Sequence, residues 1–143
     1  MTRDEILRLP AGPEMDALVA ERVMGWHRGE GRTADSWYNA SLECVAPAED
    51  SELDMWDGSC ANCDSAWSPS TRISNAWEVV EKLQARGVRL HYSSDGWHFG
   101  IGYTPPSRFM DDPPDPEEWE VECCAPTAPL AICRAALLAV MGV

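Results

Sequence analysis

The last part of the chain restricts the fold most strongly, because residues 130–141 would form a helix with apolar side chains on nearly every side. Arg134 is the single charged residue within this segment. A helix that is apolar all round has to be buried on more than one side. Pro126-Thr127-Ala128-Pro129 introduces it with a hydroxyl and a proline, both typical of a helix start. We therefore expect other elements to pack around this helix.

Two short apolar segments joined by a tight turn predict an antiparallel hairpin. Residues 88–92 and 97–103 are the strand candidates, and Ser93-Ser94-Asp95-Gly96 supplies the Asp-Gly pair of a tight turn. Residues 119–124 predict a further strand, while 36–45 is a weak strand candidate. The hairpin is expected to form the centre of a short antiparallel sheet.

Apolar residues spaced three and four apart predict more helices. They indicate a helix at 14–24, a short helical turn at 4–8, and a helix that opens at Ser68-Pro69-Ser70-Thr71 and is closed by Gly87. Residues 27–35 are interpreted as a loop. At 143 residues and 45% hydrophobic, the chain fits one domain. The fold class is therefore expected to be α+β, a small layered α/β/α sandwich in which helices pack on the sheet.

The net charge of −13 is concentrated in two segments. Residues 43–64 contain seven of the 24 acidic residues and no Lys or Arg, and residues 111–122 contain another seven, again without a base. The rest of the chain contains the remaining ten acidic residues and all 11 basic residues, so it is nearly neutral. We expect two acidic loops, at about 43–66 and 104–118. Because binding to duplex DNA rests on a basic surface, no nucleic-acid partner is expected.

The sequence also bears on location. No apolar run reaches the roughly 18 residues of a membrane span, so no membrane partner is expected. Residues 1–10 are charged and lack the apolar stretch of a signal peptide. We expect the protein in the cytoplasm, where its six cysteines would be reduced or bound to metal.

The pair Cys60 and Cys63 is the strongest metal-ligand spacing in the chain. A Cys-x-x-Cys pair can place two thiolates on one zinc ion, but zinc requires four ligands and no second such pair exists. Cys44, Cys123, Cys124 or a histidine would have to complete the site. A loop disulfide or two idle thiols is the alternative, and no cofactor is our main expectation. Cys133 is predicted to lie in the core.

Three stretches of sequence together resemble a known family: residues 1–7 with the helix through Val23-Met24, Trp67 to Lys82, and Ala128 to Leu137. They resemble the phage ABA sandwich domain family and, more distantly, the NinX-like small phage proteins. Both share a Ser-Pro-Ser-Thr helix start and an apolar terminal helix that contains an arginine. The resemblance implies a helix–sheet–helix layer fold in a small accessory phage protein, and some small phage folds of this kind sequester nucleotide immune signals.

Two helix starts, at residues 68–71 and 125–129, are candidate anion sites. Their hydroxyls can act as N-caps, or the free N–H groups beside them can bind a phosphate. Arg72 in the first turn is a candidate phosphate partner, and a buried Arg134 would need either a carboxylate or a ligand phosphate as its partner. Trp67 and Trp97 are candidates for stacking on a base, whereas Trp26 and Trp77 are predicted to be core. The predicted ligand-binding residues are Trp67, Ser68, Ser70, Thr71, Arg72, Trp97, Thr127 and Arg134.

Catalysis finds little support in the sequence. No phosphate-binding loop, nucleophile elbow or His-Glu-x-x-His motif is present. The three histidines are isolated, although His91 and His98 flank the hairpin and can face each other; we interpret them as surface or structural residues. We therefore predict a protein that is not an enzyme.

These observations favour a cytoplasmic homo-oligomer that sequesters a host nucleotide-derived immune signal of the ADP-ribose type or a cyclic nucleotide. An acidic decoy that binds a host protein by mimicking DNA is one alternative, since the acids are clustered. A structural accessory phage protein is another. Fold alone does not decide between these functions.

Overall fold

The computed structural model of the chain describes residues 1–30, 35–47, 66–104 and 118–143. In these residues the chain forms four α-helices and two three-stranded antiparallel sheets. The helices are α1 (Arg3–Arg8), α2 (Pro13–Leu18), α3 (Ile73–Leu83) and α4 (Ala128–Met141). The strands are β1 (His27–Glu30), β2 (Asp35–Tyr38), β3 (Cys44–Pro47), β4 (Val88–Ser93), β5 (Gly96–Thr104) and β6 (Glu118–Ala125). The predicted α+β class is confirmed.

Helix α4 lies at the centre of the fold. It packs against β5 and β6 on one side and against α3, α1 and the end of the α2 segment on others. Thr127 caps its start by accepting a hydrogen bond from the Leu130 N–H at 3.4 Å, and Gly142 ends it in the left-handed conformation. Burial on several sides is what its all-round apolar surface predicted. The helix begins at Ala128, two residues before the predicted start.

Strands β4, β5 and β6 form the sheet that supports α4. The predicted hairpin is confirmed, with Ser93 opposite Gly96 across the turn. Gly96 has a φ of +125°, and a Cβ there would lie 2.7 Å from the Ala125 carbonyl oxygen, so the position requires glycine. Phe99 and Ile101 are buried on the face that meets the helices. Alternate residues point to the opposite face.

A second sheet, β1-β2-β3, corrects the sequence interpretation in three places. The predicted loop at 27–35 contains β1, and the predicted single strand at 36–45 is interrupted by a turn at 39–43 that separates β2 from β3. Strand β3 also lies inside the predicted acidic loop at 43–66. Each strand is four residues long, too short to show an alternating pattern, and Trp37 and Ala46 bury themselves in the common core.

The N-terminal helices pack on α4. Helix α1 begins with a capping box, in which the Thr2 hydroxyl accepts from the Glu5 N–H and the Glu5 carboxylate accepts from the Thr2 N–H. Helix α2 begins at Pro13 and continues as a π-helical turn over Val19–Val23. The predicted helix at 14–24 is therefore present, with a widened last part. Within the described residues no helix is long and apolar enough to cross a membrane.

Helix α3 begins later than predicted. Residues 69–71 form a turn, Arg72 is the N-cap residue, and a short 3-10 turn over Gln84–Arg86 leads to Gly87. The predicted core position of Trp77 is wrong, because half of its surface is exposed (50%). Helix α3 buries the face that carries Ala76, Val80 and Leu83, and Trp77 lies beside that face.

Candidate functional site

A groove of about 440 Å³ lies where the start of α3, the β4–β5 hairpin and the start of α4 meet. Two of the residues predicted to bind ligand, Trp97 and Thr127, line it together. The other lining residues are apolar: Ile73, Trp77, Leu90, Pro126, Ala128 and Pro129. The groove is thus a mainly apolar cleft with one hydroxyl at its edge.

Aromatic rings dominate the groove and its margin. Trp77 is half exposed, and Ile73, one helical turn earlier, is 53% exposed. Tyr92 is exposed and its ring contacts the Trp97 ring at 5.2 Å between centroids, tilted by 60°. Such rings are more often buried in a monomeric protein. Their exposure on one cleft marks a surface suited to a flat, apolar ligand.

Thr127 has a structural role at this groove. Its hydroxyl accepts the Leu130 N–H and its carbonyl accepts the Ala131 N–H at 3.1 Å. The N-capping interpretation of Thr127 is therefore confirmed. Its position in the groove adds a polar group beside the positive end of the α4 dipole.

The serine and threonine residues before α3 form hydrogen bonds away from the groove. Ser70 is buried, and its hydroxyl accepts the Gly12 N–H at 2.9 Å. Thr71 donates through its hydroxyl to the Ser68 carbonyl at 3.4 Å, and Ser68 donates its N–H to Asn75 Oδ1 at 3.0 Å. Ser70 thus ties this turn to the start of α2, and none of the three hydroxyl residues lines the groove.

Asp16 is a buried partner of this turn that the sequence interpretation missed. The Ser70 N–H donates to Asp16 Oδ1 at 2.8 Å, and the carboxyl residue is only 6% exposed. Burial raises the pKa of Asp16, and the hydrogen bonds from Ser70 oppose that rise. An acid in an amphipathic helix is ordinarily solvated, so nothing in the sequence singled it out.

Trp67 was predicted to stack on a base, and the structure corrects this. The side chain is 1% exposed, and its indole N–H donates to the Asp16 carbonyl oxygen at 3.0 Å. Its ring packs edge-on against Trp26, with centroids 4.6 Å apart. Trp67 is a core residue in which the ring is enclosed and the polar atom is satisfied.

The two candidate arginines lie in different surroundings. Arg134 donates from Nη2 to the Leu9 carbonyl oxygen at 3.0 Å, at the end of α1. Its buried Nε has no hydrogen-bond partner among the described residues. The partner found is thus a backbone carbonyl, in place of the predicted carboxylate or phosphate. Arg72 immediately precedes Ile73 and so begins α3 at the edge of the groove.

Several predicted features lie outside the described residues. These are Cys60, Cys63, and most of the acidic segments at 43–66 and 104–118. The zinc prediction at the cysteine pair therefore stays a prediction.

Three of the four described cysteines differ clearly in their access to solvent, which predicts their reactivity. Cys124 is exposed, whereas Cys123 and Cys133 are buried, and burial raises the pKa of both buried thiols. In the native protein we expect iodoacetamide to label Cys124 and to spare Cys123 and Cys133, as read by peptide mass mapping. Unfolding in urea is the control that should expose all three. Equal labelling of Cys133 and Cys124 in the native protein would contradict this.

The family model for the phage ABA sandwich domain matches residues 17–137, from within α2 to near the end of α4. The chain belongs to the phage ABA sandwich domain family. The resemblance carried by the Ser-Pro-Ser-Thr turn and the terminal helix is thereby confirmed. No curated protein is a significant sequence match to this phage ABA sandwich domain protein.

A crystal structure of a phage protein from Bacillus cereus ATCC 14579 is similar to this phage ABA sandwich domain. The two are 18% identical, the similarity covers 91% of this chain and 92% of that chain, and the TM-score is 0.52. At this identity the likeness concerns the fold, and the site has to be argued from this chain's own residues.

Proposed function

We propose that this protein binds a small nucleotide-derived ligand without catalysis, with the base of the ligand in the groove between α3, the hairpin and α4. The observation that carries the proposal is that Trp97 and Thr127, singled out from sequence for base and phosphate contacts, line the same groove as the exposed Trp77. The ligand would be a host immune signal of the ADP-ribose type or a cyclic nucleotide. Sequestering it would protect a phage.

The shape and chemistry of the groove fit the base of such a ligand. Its volume of about 440 Å³ lies within the range of small-molecule sites. Stacking of a base on an aromatic side chain contributes about 1–3 kcal/mol and is tolerant of base identity. Trp77 keeps half of its surface in solvent, so its ring is available for stacking. Trp97, packed partly on the core, would form the fixed wall.

Two features support a phosphate at the edge of the groove. The first turn of α4 lines it, and the positive end of a helix dipole favours an anion there. Arg72 begins α3 next to the lining residue Ile73. Trp67, Ser70 and Arg134 are not assigned to the ligand. Each of them is hydrogen-bonded to the N-terminal part of the chain, between residues 9 and 16.

The family supports the phage setting of this function. As a phage ABA sandwich domain protein it would act in the cytoplasm of the bacterial host, and we propose a homo-oligomer whose groove lies near a subunit contact. Sedimentation at several concentrations would test the oligomeric state. A monomer at all concentrations would contradict that part and leave the groove as the site.

Removing the Trp77 ring tests the proposal directly. We expect Trp77→Ala to weaken binding of the best ligand by roughly tenfold, because one base-stacking surface is lost. Calorimetric titration with ADP-ribose, a cyclic mononucleotide and a cyclic dinucleotide provides the measurement. Glu81→Ala is the matched control, since Glu81 is exposed on the same helix one turn further on and does not line the groove.

Two results would count against this function. Equal affinity of Trp77→Ala and Glu81→Ala for the ligand would place binding elsewhere. No binding of any of these nucleotides, together with a host protein that co-purifies and is lost when the acids of 111–122 are neutralised, would favour the acidic decoy.

A further inference from the structure

Three potential metal ligands lie together on the face of the β4-β5-β6 sheet opposite the groove. They are His91 on β4, His98 on β5 and Glu122 on β6. His98 is the strand neighbour of the groove residue Trp97, and successive strand residues point to opposite faces. One ligand atom from each of the three lies within 4.8 Å of the other two. This cluster is separate from the groove in both place and chemistry.

The sheet register fixes the positions of these residues. His91 and His98 are directly opposite each other across β4 and β5, and their rings stack at 4.9 Å between centroids and 10° between planes. Glu122 lies on the next strand, opposite Gly100, one step along the same face. Three adjacent strands thus present one ligand each, from a rigid part of the sheet.

A hydrogen-bonded chain orients the His98 ring. Its Nε2 lies 2.8 Å from Ser93 Oγ, and that hydroxyl donates to Asp95 Oδ1 at 2.9 Å. Because the Ser93 hydroxyl gives its proton to Asp95, its oxygen accepts from a proton on His98 Nε2. In the neutral ring, Nδ1 then carries a lone pair. A hydroxyl or carboxylate behind a histidine is the arrangement that fixes metal-ligating histidines in a single tautomer.

The other side of the cluster is rich in lone pairs. His98 Nδ1 lies 3.4 Å from Glu122 Oε1, so that a neutral ring would face a carboxylate with no proton between them. His91 Nδ1 is buried and has no hydrogen-bond partner among the described residues. Buried polar atoms are ordinarily satisfied, and an orphan among potential ligands requires an explanation. A cation bound among these atoms would satisfy all three.

We propose that His91, His98 and Glu122 bind one divalent transition-metal ion of the zinc type. Two imidazoles and a carboxylate are typical ligands of such ions. Ligand atoms on a tetrahedral zinc ion lie about 3.4 Å apart, given bonds of about 2.0–2.1 Å. The separation of His98 Nδ1 from Glu122 Oε1 already matches this value. The His91 ring would turn out of its stack with His98 to reach the ion. Because Glu122 is exposed, water would take the fourth position.

A second cluster of potential ligands shares His98, and its carboxylate orients the His98 ring through Ser93 instead of binding the ion. Asp95, His98 and Cys124 also lie close together. The Cys124 thiol donates to the Asp95 carbonyl oxygen at 3.3 Å. Asp95 Oδ1 already accepts a hydrogen bond from the Ser93 hydroxyl, which in turn contacts His98 Nε2, so this carboxylate is occupied in orienting Ser93 and His98. The ion is therefore assigned to the Nδ1 side of His98.

Calorimetric titration with zinc chloride tests the site, in a Cys60→Ser, Cys63→Ser background that removes the competing thiol pair. We expect one zinc ion per chain, and a loss of affinity of at least about tenfold in both His91→Gln and Glu122→Gln. Glu122 is exposed, so Glu122→Gln tests the site without disturbing the core. His27→Gln is the matched control, because His27 is the third histidine and lies in the other sheet.

A further variant separates metal binding from an ordinary ion pair. Ser93→Ala retains all three ligands but removes the group behind His98, and we expect it to weaken zinc binding by about tenfold. Absence of zinc binding in the background protein would overturn the proposal and leave an ordinary contact between His98 and Glu122. Unchanged affinity in Glu122→Gln and His91→Gln would overturn it as well. Neither result bears on nucleotide binding in the groove.

Discussion

Replacing Trp67 with alanine is expected to lower the free energy of unfolding by about 3–5 kcal/mol. The side chain is 1% exposed and packs edge-on against Trp26, so its loss leaves a large cavity among residues that cannot fully collapse. The indole N–H also donates to the Asp16 carbonyl oxygen, and that bond is lost with the ring. Urea denaturation followed by far-ultraviolet circular dichroism provides the measurement.

Trp77→Ala is the matched control, because it removes the same side chain from a half-exposed position. We expect its cost to be about 1 kcal/mol or less, as for most surface substitutions. Trp67→Phe should fall between the two, since it keeps most of the apolar volume and loses the hydrogen bond. Equal destabilisation by Trp67→Ala and Trp77→Ala would show that the assignment of core and surface tryptophans is wrong.

Asp16→Ala is expected to lower the free energy of unfolding by about 1–3 kcal/mol, because it leaves the buried Ser70 N–H without an acceptor. That bond joins the turn before α3 to α2, and the Ser70 hydroxyl accepts a second bond from the Gly12 N–H. Asp16→Asn should cost less, since the amide oxygen can still accept from Ser70. Chemical denaturation of both variants at neutral pH provides the test, and an equal cost for the two would contradict this role.

Asp16 also predicts how stability depends on pH. Burial raises its pKa in the folded protein above the ordinary value of 3.8. Between 3.8 and the raised value the folded state holds more protons than the unfolded state, so this residue makes stability fall as pH rises through that window. Asp16→Asn should lack this component of the slope. A steeper fall in the variant than in the unmodified protein would contradict the sign.

The elements that sequence could predict are those with local signals. The Asp-Gly turn fixed the register of β4 and β5, and the all-round apolar segment indicated the central position of α4. The hairpin turn depends on residues that are close together in the sequence. The apolar pattern of α4 extends over enough residues to be recognised in the sequence. The family resemblance rested on the same parts of the chain and was confirmed.

The elements that sequence missed depend on distant partners. Strands β1 to β3 are four residues each and hold together through pairing with one another, which no local pattern records. Trp67 and Trp77 lie ten residues apart, yet the first is enclosed by Trp26 and the second borders a groove. Which tryptophan is buried is decided by elements that arrive from other parts of the chain.

The candidate site was predicted in part for the same reason. Trp97 and Thr127 were chosen because each adjoins a turn or a helix start, and the fold brings them together. Ser70 and Trp67 also adjoin a helix start in the sequence, but they hydrogen-bond to Gly12 and Asp16, more than 50 residues earlier in the chain. The hairpin indicated that His91 and His98 can face each other, while Glu122 joins them through the pairing of β5 with β6.

The contact between α1 and α4 has a kinetic consequence. Arg134 bonds to the Leu9 carbonyl at a sequence separation of 125 residues, so the first and last described helices meet only after a very long loop has closed. Chains dominated by such non-local contacts cross the folding barrier slowly, because the entropy of closure is lost before the contacts form. Until then α4 has no complete cover for its apolar surface. The interval before α1 meets α4 is therefore when this protein is most exposed to aggregation.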